Sequence, residues 1–388
     1  MGIKILHLAD LHIGYVPGYL ADDRAPVRAQ DFREALKRAV DFALEPDSGI
    51  RAVIIAGDLF EHPRPASADV GFVRGQFERL LPAKTPVLLA PGTHDTIAVQ
   101  ESVYRRESFP TNVRILAEFH TTMPVELLLD GEKFSFYWLT HEPGKQISIG
   151  QHLSALKDTL PADGYRVFVA HASLKGCEEW NVRAKDLPVT EEELRSSGMH
   201  YVAFGHYHTF RAFRLGKTTA VYPGTLEGKG FGENGRRFLV TADFSAGCVA
   251  VTKRPFNARV LEEKELSLDT EAVSSEEELL AWVASGAGEN TLLRLTLTGR
   301  AEFMVRPEFL QAALRDRFFH IEIEDRTSIL GAAAVEMFAQ ERTIRGMFVR
   351  RMKEAIARAP QEARAVHELA LKEGLSAFAE ESEGAGGR

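Results

Sequence analysis

Five short stretches of this chain carry side chains able to hold a metal ion. They are Asp10-Leu11-His12, Gly57-Asp58-Leu59-Phe60, Gly92-Thr93-His94-Asp95, Ala170-His171-Ala172 and Gly205-His206-Tyr207-His208. Taken together, Asp10, His12, Asp58, His171, His206 and His208 form a carboxylate and imidazole set without thiolate, which suits Mn, Fe or Zn and not a structural cysteine site. One carboxylate such as Asp58 can bridge two ions. A pair of ions roughly 3.5–4 Å apart would acidify a water and offset the charge of a phosphoryl group undergoing displacement. Asp-Leu-His or a single His171 is commonplace by itself; the signal is the joint occurrence of all five stretches in order.

Each stretch follows an apolar run: IKILHLA, RAVIIAG, PVLLAPG, RVFVAH and YVAFGH. In an open α/β sheet the carboxyl ends of strands line the crevice where ligands bind, so the five loops are expected to converge. On extended backbone the i and i+2 side chains of DLH and HYH would face the same side. Glycine before Asp58, Thr93 and His206 allows tight turns and close approach of backbone.

The first half of the chain alternates these runs with helical patterns such as DFREALKRAVDFAL and ADVGFVRGQFERLL, which predicts an α/β domain. Strand-like pieces RAFRLG, TTAVYPG, RFLVTADF and CVAVTKRPF follow. The expected architecture over 1–257 is a mixed-sheet sandwich flanked by helices. SSEEELLAWVAS, TLLRLTLTG, RPEFLQAALRD and FFHIEIE then suggest a small α+β domain over 258–328, its first helix capped by Ser and its second opened by Pro. Strand signals end near 329, and Pro360 divides a helical region over 329–380; the tail 381–388 is expected to be disordered.

The net charge of -8 offers no global attraction to nucleic acid, so any DNA contact requires local basic patches. No apolar run approaches the roughly 18 residues of a membrane span. Only Met1 and Gly2 precede the first strand-like run, so a cytoplasmic location is expected, with Cys177 and Cys248 as thiols.

The series DLH, GDLF, GTHD, AH and GHYH resembles the calcineurin-like metallophosphoesterase superfamily over about residues 1–255. With the small α+β module and helical C-terminus, the chain resembles the SbcD-type DNA repair exonucleases, including YhaO-like proteins. The resemblance implies a metal-dependent DNA exonuclease and endonuclease, the nuclease subunit of a complex with a coiled-coil SbcC-like ATPase, and a homodimer. It implies that Asp10, His12, Asp58 and His208 hold one Mn ion and that Asp58, Thr93, His171 and His206 hold the other, with Fe, Zn or Mg as further candidates. His94 would face the phosphate, and Asp95 would orient the His94 ring. Thr93 departs from the family's usual Asn and is expected to weaken the second metal. A catalytically impaired DNA- or ATPase-binding subunit, or a small-molecule phosphodiesterase or phosphatase, are the other readings. A further departure places Glu61 directly after GDLF, with His62 next.

Basic residues flank the metal loops: Arg24, Arg28, Arg64, Arg105, Arg106, Lys175, Arg183, Lys185, Arg211 and Arg214. They are candidates for tracking a phosphate backbone. In the C-terminal helical region Ile344, Met347, Phe348 and Met352 recur at helical spacing, and under the resemblance this face would dock on the ATPase.

Overall fold

In the run IKILHL successive side chains serve opposite layers: Ile3 and Ile5 face one apolar cluster, Leu6 and Leu8 another. A strand buried on both faces reads as a continuous apolar run. The computed structural model describes residues 2–21, 23–119, 121–142, 148–176, 186–269, 273–301, 303–327, 329–330 and 332–384. Two units emerge, Met1–Ala258 and Arg259–Arg388.

The first unit contains, in chain order, β1 (Ile3–Leu8), α1 (Ala25–Leu44), β2 (Ile50–Ala56), α2 (Ser67–Glu78), β3 (Val87–Ala90), α3 (Val103–Arg106), β4 (Val113–Ile115), β5 (Val125–Leu129) and β6 (Glu132–Leu139). It continues with α4 (Ile149–Leu156), β7 (Tyr165–His171), α5 (Glu191–Arg195), β8 (Tyr201–Gly205), β9 (Arg211–Leu215), β10 (Thr218–Tyr222), β11 (Phe238–Ser245) and β12 (Cys248–Pro255). One six-stranded sheet runs β12-β11-β1-β2-β3-β4 and the other β5-β6-β7-β8-β10-β9. Strands β1 to β4 are parallel, as are β6, β7 and β8.

Between the sheets Ile5, Ile54 and Leu88 meet Phe136, Trp138, Val167 and Tyr201. On the outer faces Phe32 and Leu36 of α1 and Phe77 of α2 cover the first sheet, and Ile149 and Leu153 of α4 cover the second. The mixed-sheet sandwich flanked by helices is therefore the fold. Strands β5 and β6 were not among the expected ones. Their signal is Asp130-Gly131, both with positive φ (47° and 90°), the chemistry of a tight hairpin turn.

The second unit holds β13 (Val260–Ser267), α6 (Glu276–Ser285), β14 (Gly288–Thr298), β15 (Arg300–Ala301), α7 (Pro307–Leu314), β16 (Phe318–Asp325), β17 (Ile329–Leu330), α8 (Ala332–Ala339), α9 (Ile344–Arg358) and α10 (Gln361–Gly384). Ser275 caps α6 through the Glu278 amide, and Pro307 opens α7. The parallel sheet β13-β14-β16 packs Leu266, Leu295 and Ile321 on Leu279 of α6 and Leu310 of α7. Strand β13, VLEEKELS, escapes sequence reading because only Leu261 and Leu266 are buried in an otherwise charged run. Strand β17 pairs with β15, so strand structure persists past 328. Helix α10 continues through Gly384, four residues into the segment expected to be disordered; 385–388 lie outside the described residues. No helix among the described residues is long and apolar enough to cross a membrane.

Candidate metal centre

Strands β1, β2 and β3 end immediately before the DLH, GDLF and GTHD loops, and β7 and β8 deliver His171 and the GHYH loop from the other sheet. The ligand loops therefore meet where the carboxyl ends of both sheets abut. The expected extended backbone is not what brings them together. Asp10 (φ 52°), His12 (φ 46°), Asp58 (φ 51°) and His206 (φ 102°) occupy the left-handed region, where a residue other than glycine costs of order 1–3 kcal/mol. Backbone bonds hold this geometry: the Asp10 amide donates to the Gly57 carbonyl at 3.0 Å and the His12 amide to that of Asp58 at 3.0 Å. Two glycines admit the ligands. A Cβ at Gly57 would stand 2.3 Å from His171 Nδ1, and one at Gly92 would stand 2.1 Å from Asp58 Oδ1.

Three overlapping groups offer ligand atoms within 4.8 Å of one another: Asp10, His12 and His208; His12, Asp58 and His94; Asp10, Asp58 and His171. Their partners assign the ring tautomers. His12 Nδ1 lies 2.8 Å from Glu61 Oε2 and His208 Nδ1 lies 2.6 Å from Glu233 Oε1; carboxylates only accept, so both Nδ1 atoms carry hydrogen. Both Nε2 lone pairs then face each other at 3.2 Å, which only a shared proton or a cation can stabilise. The same holds across the cleft. His171 donates Nδ1–H to the Ala56 carbonyl at 3.0 Å, and its Nε2 faces Asp58 Oδ2 at 3.2 Å and His206 Nδ1 at 3.3 Å. Buried oxygen and nitrogen donors gathered this closely in overlapping groups fit divalent cations.

The sequence profile of calcineurin-like phosphoesterases matches residues 3–210 of this 388-residue chain, more than half of it. The chain belongs to the calcineurin-like phosphoesterase family. The DNA double-strand break repair protein Mre11 of Haloferax volcanii is 25% identical over 342 residues, covering 87% of this chain and 65% of that one. Mre11 of Aeropyrum pernix is 28% identical over 235 residues, covering 58% and 53%. The uncharacterized metallophosphoesterase YhaO of Bacillus subtilis is 24% identical over 240 residues, covering 60% and 55%. The chain thus spans between about half and two thirds of the length of these relatives.

In this phosphoesterase the cluster's charges are strongly interdependent. Burial raises Asp10 to about 6, opposed by the imidazoles of His171 and His208. Burial also works against ionising Asp58, but His171 and His12 beside it hold it well below the usual carboxylate range. Burial works equally against a charged His171, yet Asp58 and Asp10 outweigh it and raise the ring to about 10. Burial lowers His12 to about 4 in spite of Glu61.

The sequence reading missed the outer partners Glu61, Glu233 and Lys229 of the phosphoesterase centre. Lys229 Nζ lies 2.8 Å from Glu61 and 4.6 Å from the Tyr15 ring centroid. The only available signal was Glu61's place directly after GDLF; the Gly-rich stretch GKGFGENG that carries Lys229 and Glu233 has no periodicity to read.

Thr93 reaches the cluster, with Oγ1 donating to Asp58 Oδ2 at 3.4 Å. His94 is exposed; its amide donates to Asp58 Oδ1 at 2.8 Å and its Nδ1 lies 3.1 Å from the Glu61 carbonyl oxygen. Asp95 does not orient that ring. Its buried carboxylate accepts from the amides of Gly92 at 2.7 Å and Phe60 at 3.2 Å and from the Tyr104 hydroxyl, so it braces the loop from behind.

Among the basic candidates, Arg28 is fully buried on Glu227 at 2.7 Å and the Gly228 carbonyl at 2.6 Å and is unavailable to a ligand. Arg105, though exposed, ties Nε to the Ile97 carbonyl at 2.8 Å, and exposed Arg214 donates to Thr219 at 2.7 Å. Arg64 pairs with Glu101 at 3.1 Å on the surface; Arg106 and Lys175 are exposed, and Arg24 and Arg211 half-buried. Cys177, Arg183 and Lys185 lie outside the described residues. In the second unit Ile344 and Met347 are exposed, at 71% and 46%, whereas Phe348 and Met352 pack with Val349, Leu371 and Leu375.

Proposed function

We propose that this phosphoesterase is a metal-dependent DNA exonuclease and endonuclease, the nuclease subunit of an SbcCD-like repair complex. The observation that carries the reading is the pair of converging lone-pair sets, His12 with His208 and His171 with Asp58 and His206, beside an exposed His94. Asp10, His12, Asp58 and His208 would hold one ion; Asp58, Thr93, His171 and His206 would hold the other. When bound, two divalent cations, Mn by preference and otherwise Fe, Zn or Mg, supply the Lewis acidity that offsets phosphoryl charge and makes water nucleophilic.

The chain's own residues do the positioning. Glu61 and Glu233 keep the His12 and His208 rings in one tautomer, and Asp95 fixes the loop that carries Thr93 and His94. His94 commits Nδ1 to the Glu61 carbonyl, which leaves Nε2 to deliver a proton to the departing oxygen. Arg64, Arg106, Lys175 and Arg211, with Arg105 at their margin, would contact DNA phosphates without regard to sequence. The names of the Mre11 relatives support DNA as substrate. Exposed Ile344 and Met347 of α9, with Val366 and Leu369 of α10, support docking on an ATPase helix. A homodimer completes the reading.

The test is Mn-dependent cleavage of a DNA duplex with single-stranded ends by the purified chain, with Asp58→Asn as the contamination control. Cleavage by the native chain and silence from the variant support the reading. Hydrolysis of small nucleotide esters without DNA binding or cleavage would replace it with a small-molecule phosphodiesterase.

A further inference from the structure

A cleft of about 290 Å³ adjoins the metal centre on the side of Thr93 and His171. Leu139 and Leu187 are its buried walls and Val99 its exposed lip, while Thr93 and His141 stand among its few polar groups. Because Thr93 and His171 both belong to the ligand cluster, the cleft and the centre are continuous. Among the described residues no lysine or arginine lines it. The left-handed backbone of the ligand loops recurs at Leu187, whose φ is 46° although it is apolar and buried. A branched apolar side chain gains nothing from that conformation locally, so tertiary structure holds it there as part of the wall. His141, just past the end of β6, has no place in the metal centre described above.

We infer that this cleft is a nucleobase subsite, taking the base of the nucleotide whose phosphate lies on the metal centre. The inference rests on the phosphodiesterase reading above. Its volume is at the small end of ligand pockets, which run from about 300 to 1,000 Å³, so it admits one planar ring system and not a strand. Among the described residues the lining offers no lysine or arginine side chain to a phosphate. A base brings what the walls can use: apolar faces for Leu139 and Leu187, and a polar edge for His141 and Thr96. A base stacked inside a duplex cannot enter, so the nucleotide at the scissile position must be unpaired.

The test is calorimetric binding of two probes to the full chain in Mn²⁺: thymidine monophosphate, and deoxyribose phosphate, which has the same sugar and phosphate without the base. The nucleotide is expected to bind roughly tenfold tighter, the scale of one stacked base. Ala98→Phe, which narrows the cleft at a lining residue that is not itself a candidate metal ligand, brings the nucleotide down to the affinity of the sugar phosphate, and His141→Ala removes part of the difference. Equal affinities in the native chain, no binding of either probe, or a preference that survives both variants would overturn the subsite. The catalytic reading is judged separately by cleavage of an abasic phosphodiester oligomer, which needs the metal centre and not the cleft. The same assay shows that Ala98→Phe is folded.

Discussion

The imidazoles of His12 and His208 meet Nε2 to Nε2 at 3.2 Å, each with its Nδ1 turned to a carboxylate, Glu61 or Glu233. Two rings locked this way cannot turn their lone pairs from each other. The fold keeps an arrangement that only a shared proton or a cation stabilises.

Glu61 is expected to matter to metal binding although it is not a ligand. It accepts from His12 Nδ1 and Lys229, and its carbonyl oxygen receives His94. Glu61→Ala should lower Mn affinity about 10- to 100-fold, the usual range for a lost outer partner. Glu61→Gln, which still presents an oxygen to Nδ1, should recover much of that. Mn titration of the two variants decides; indistinguishable affinities would remove Glu61 from the account.

Thr93→Asn is expected to tighten the ion held with Asp58, His171 and His206. The Thr93 hydroxyl stops 3.4 Å from Asp58 Oδ2, and an amide carbonyl reaches one atom further. A gain of about 1 kcal/mol, roughly fivefold in Mn, is the scale of one added polar contact. The Mn midpoint of cleavage should fall accordingly, and a rise would show that threonine is the better ligand here.

Arg28 and Glu227 form an ion pair with both side chains fully buried. Arg28→Met leaves an uncompensated carboxylate and should cost about 3–5 kcal/mol, whereas Arg28→Met with Glu227→Leu should regain most of it. Urea unfolding of both variants checks this. Equal losses in the single and double variants would mean that packing of Arg28 over Phe32, 5.0 Å away, matters more than charge.

His7 gives metal-free protein an acid sensitivity. Burial pushes its ring down from the ordinary 6.5 to about 3, against a backbone hydrogen bond at Phe204 that favours the charged form; the ring also bonds the Tyr201 hydroxyl at 2.8 Å across the two sheets. Below pH 6.5 the unfolded chain binds the proton and the folded chain does not, so stability falls with pH through the window from 6.5 to about 3. This group should cost about 1.4 kcal/mol for each pH unit in that window. His7→Asn should flatten the dependence measured by urea unfolding; an unchanged slope would assign it to other groups.

The six candidate ligands that the structure brings together could be picked out in the sequence because few side-chain types hold a hard cation and these follow five apolar runs. What joins them could not. Left-handed φ at Asp10, His12, Asp58 and His206 has no marker at residues other than glycine, and Glu233 lies 25 positions beyond His208 in a loop without periodicity. Asp95 shows the opposite failure. Its adjacency to His94 suggested a shared role, but the two side chains diverge, one to solvent and the other to the Gly92 and Phe60 amides. Arg28 looked like a surface cation because its acidic partner lies 199 positions away in sequence.

If these loops build a two-ion site, titration calorimetry on metal-stripped protein will count the Mn ions bound per chain. Two ions are expected for the native chain and at most one for Asp58→Asn, since Asp58 stands beside both His171 and His12. No binding by the native chain, or two ions retained in Asp58→Asn, would contradict it.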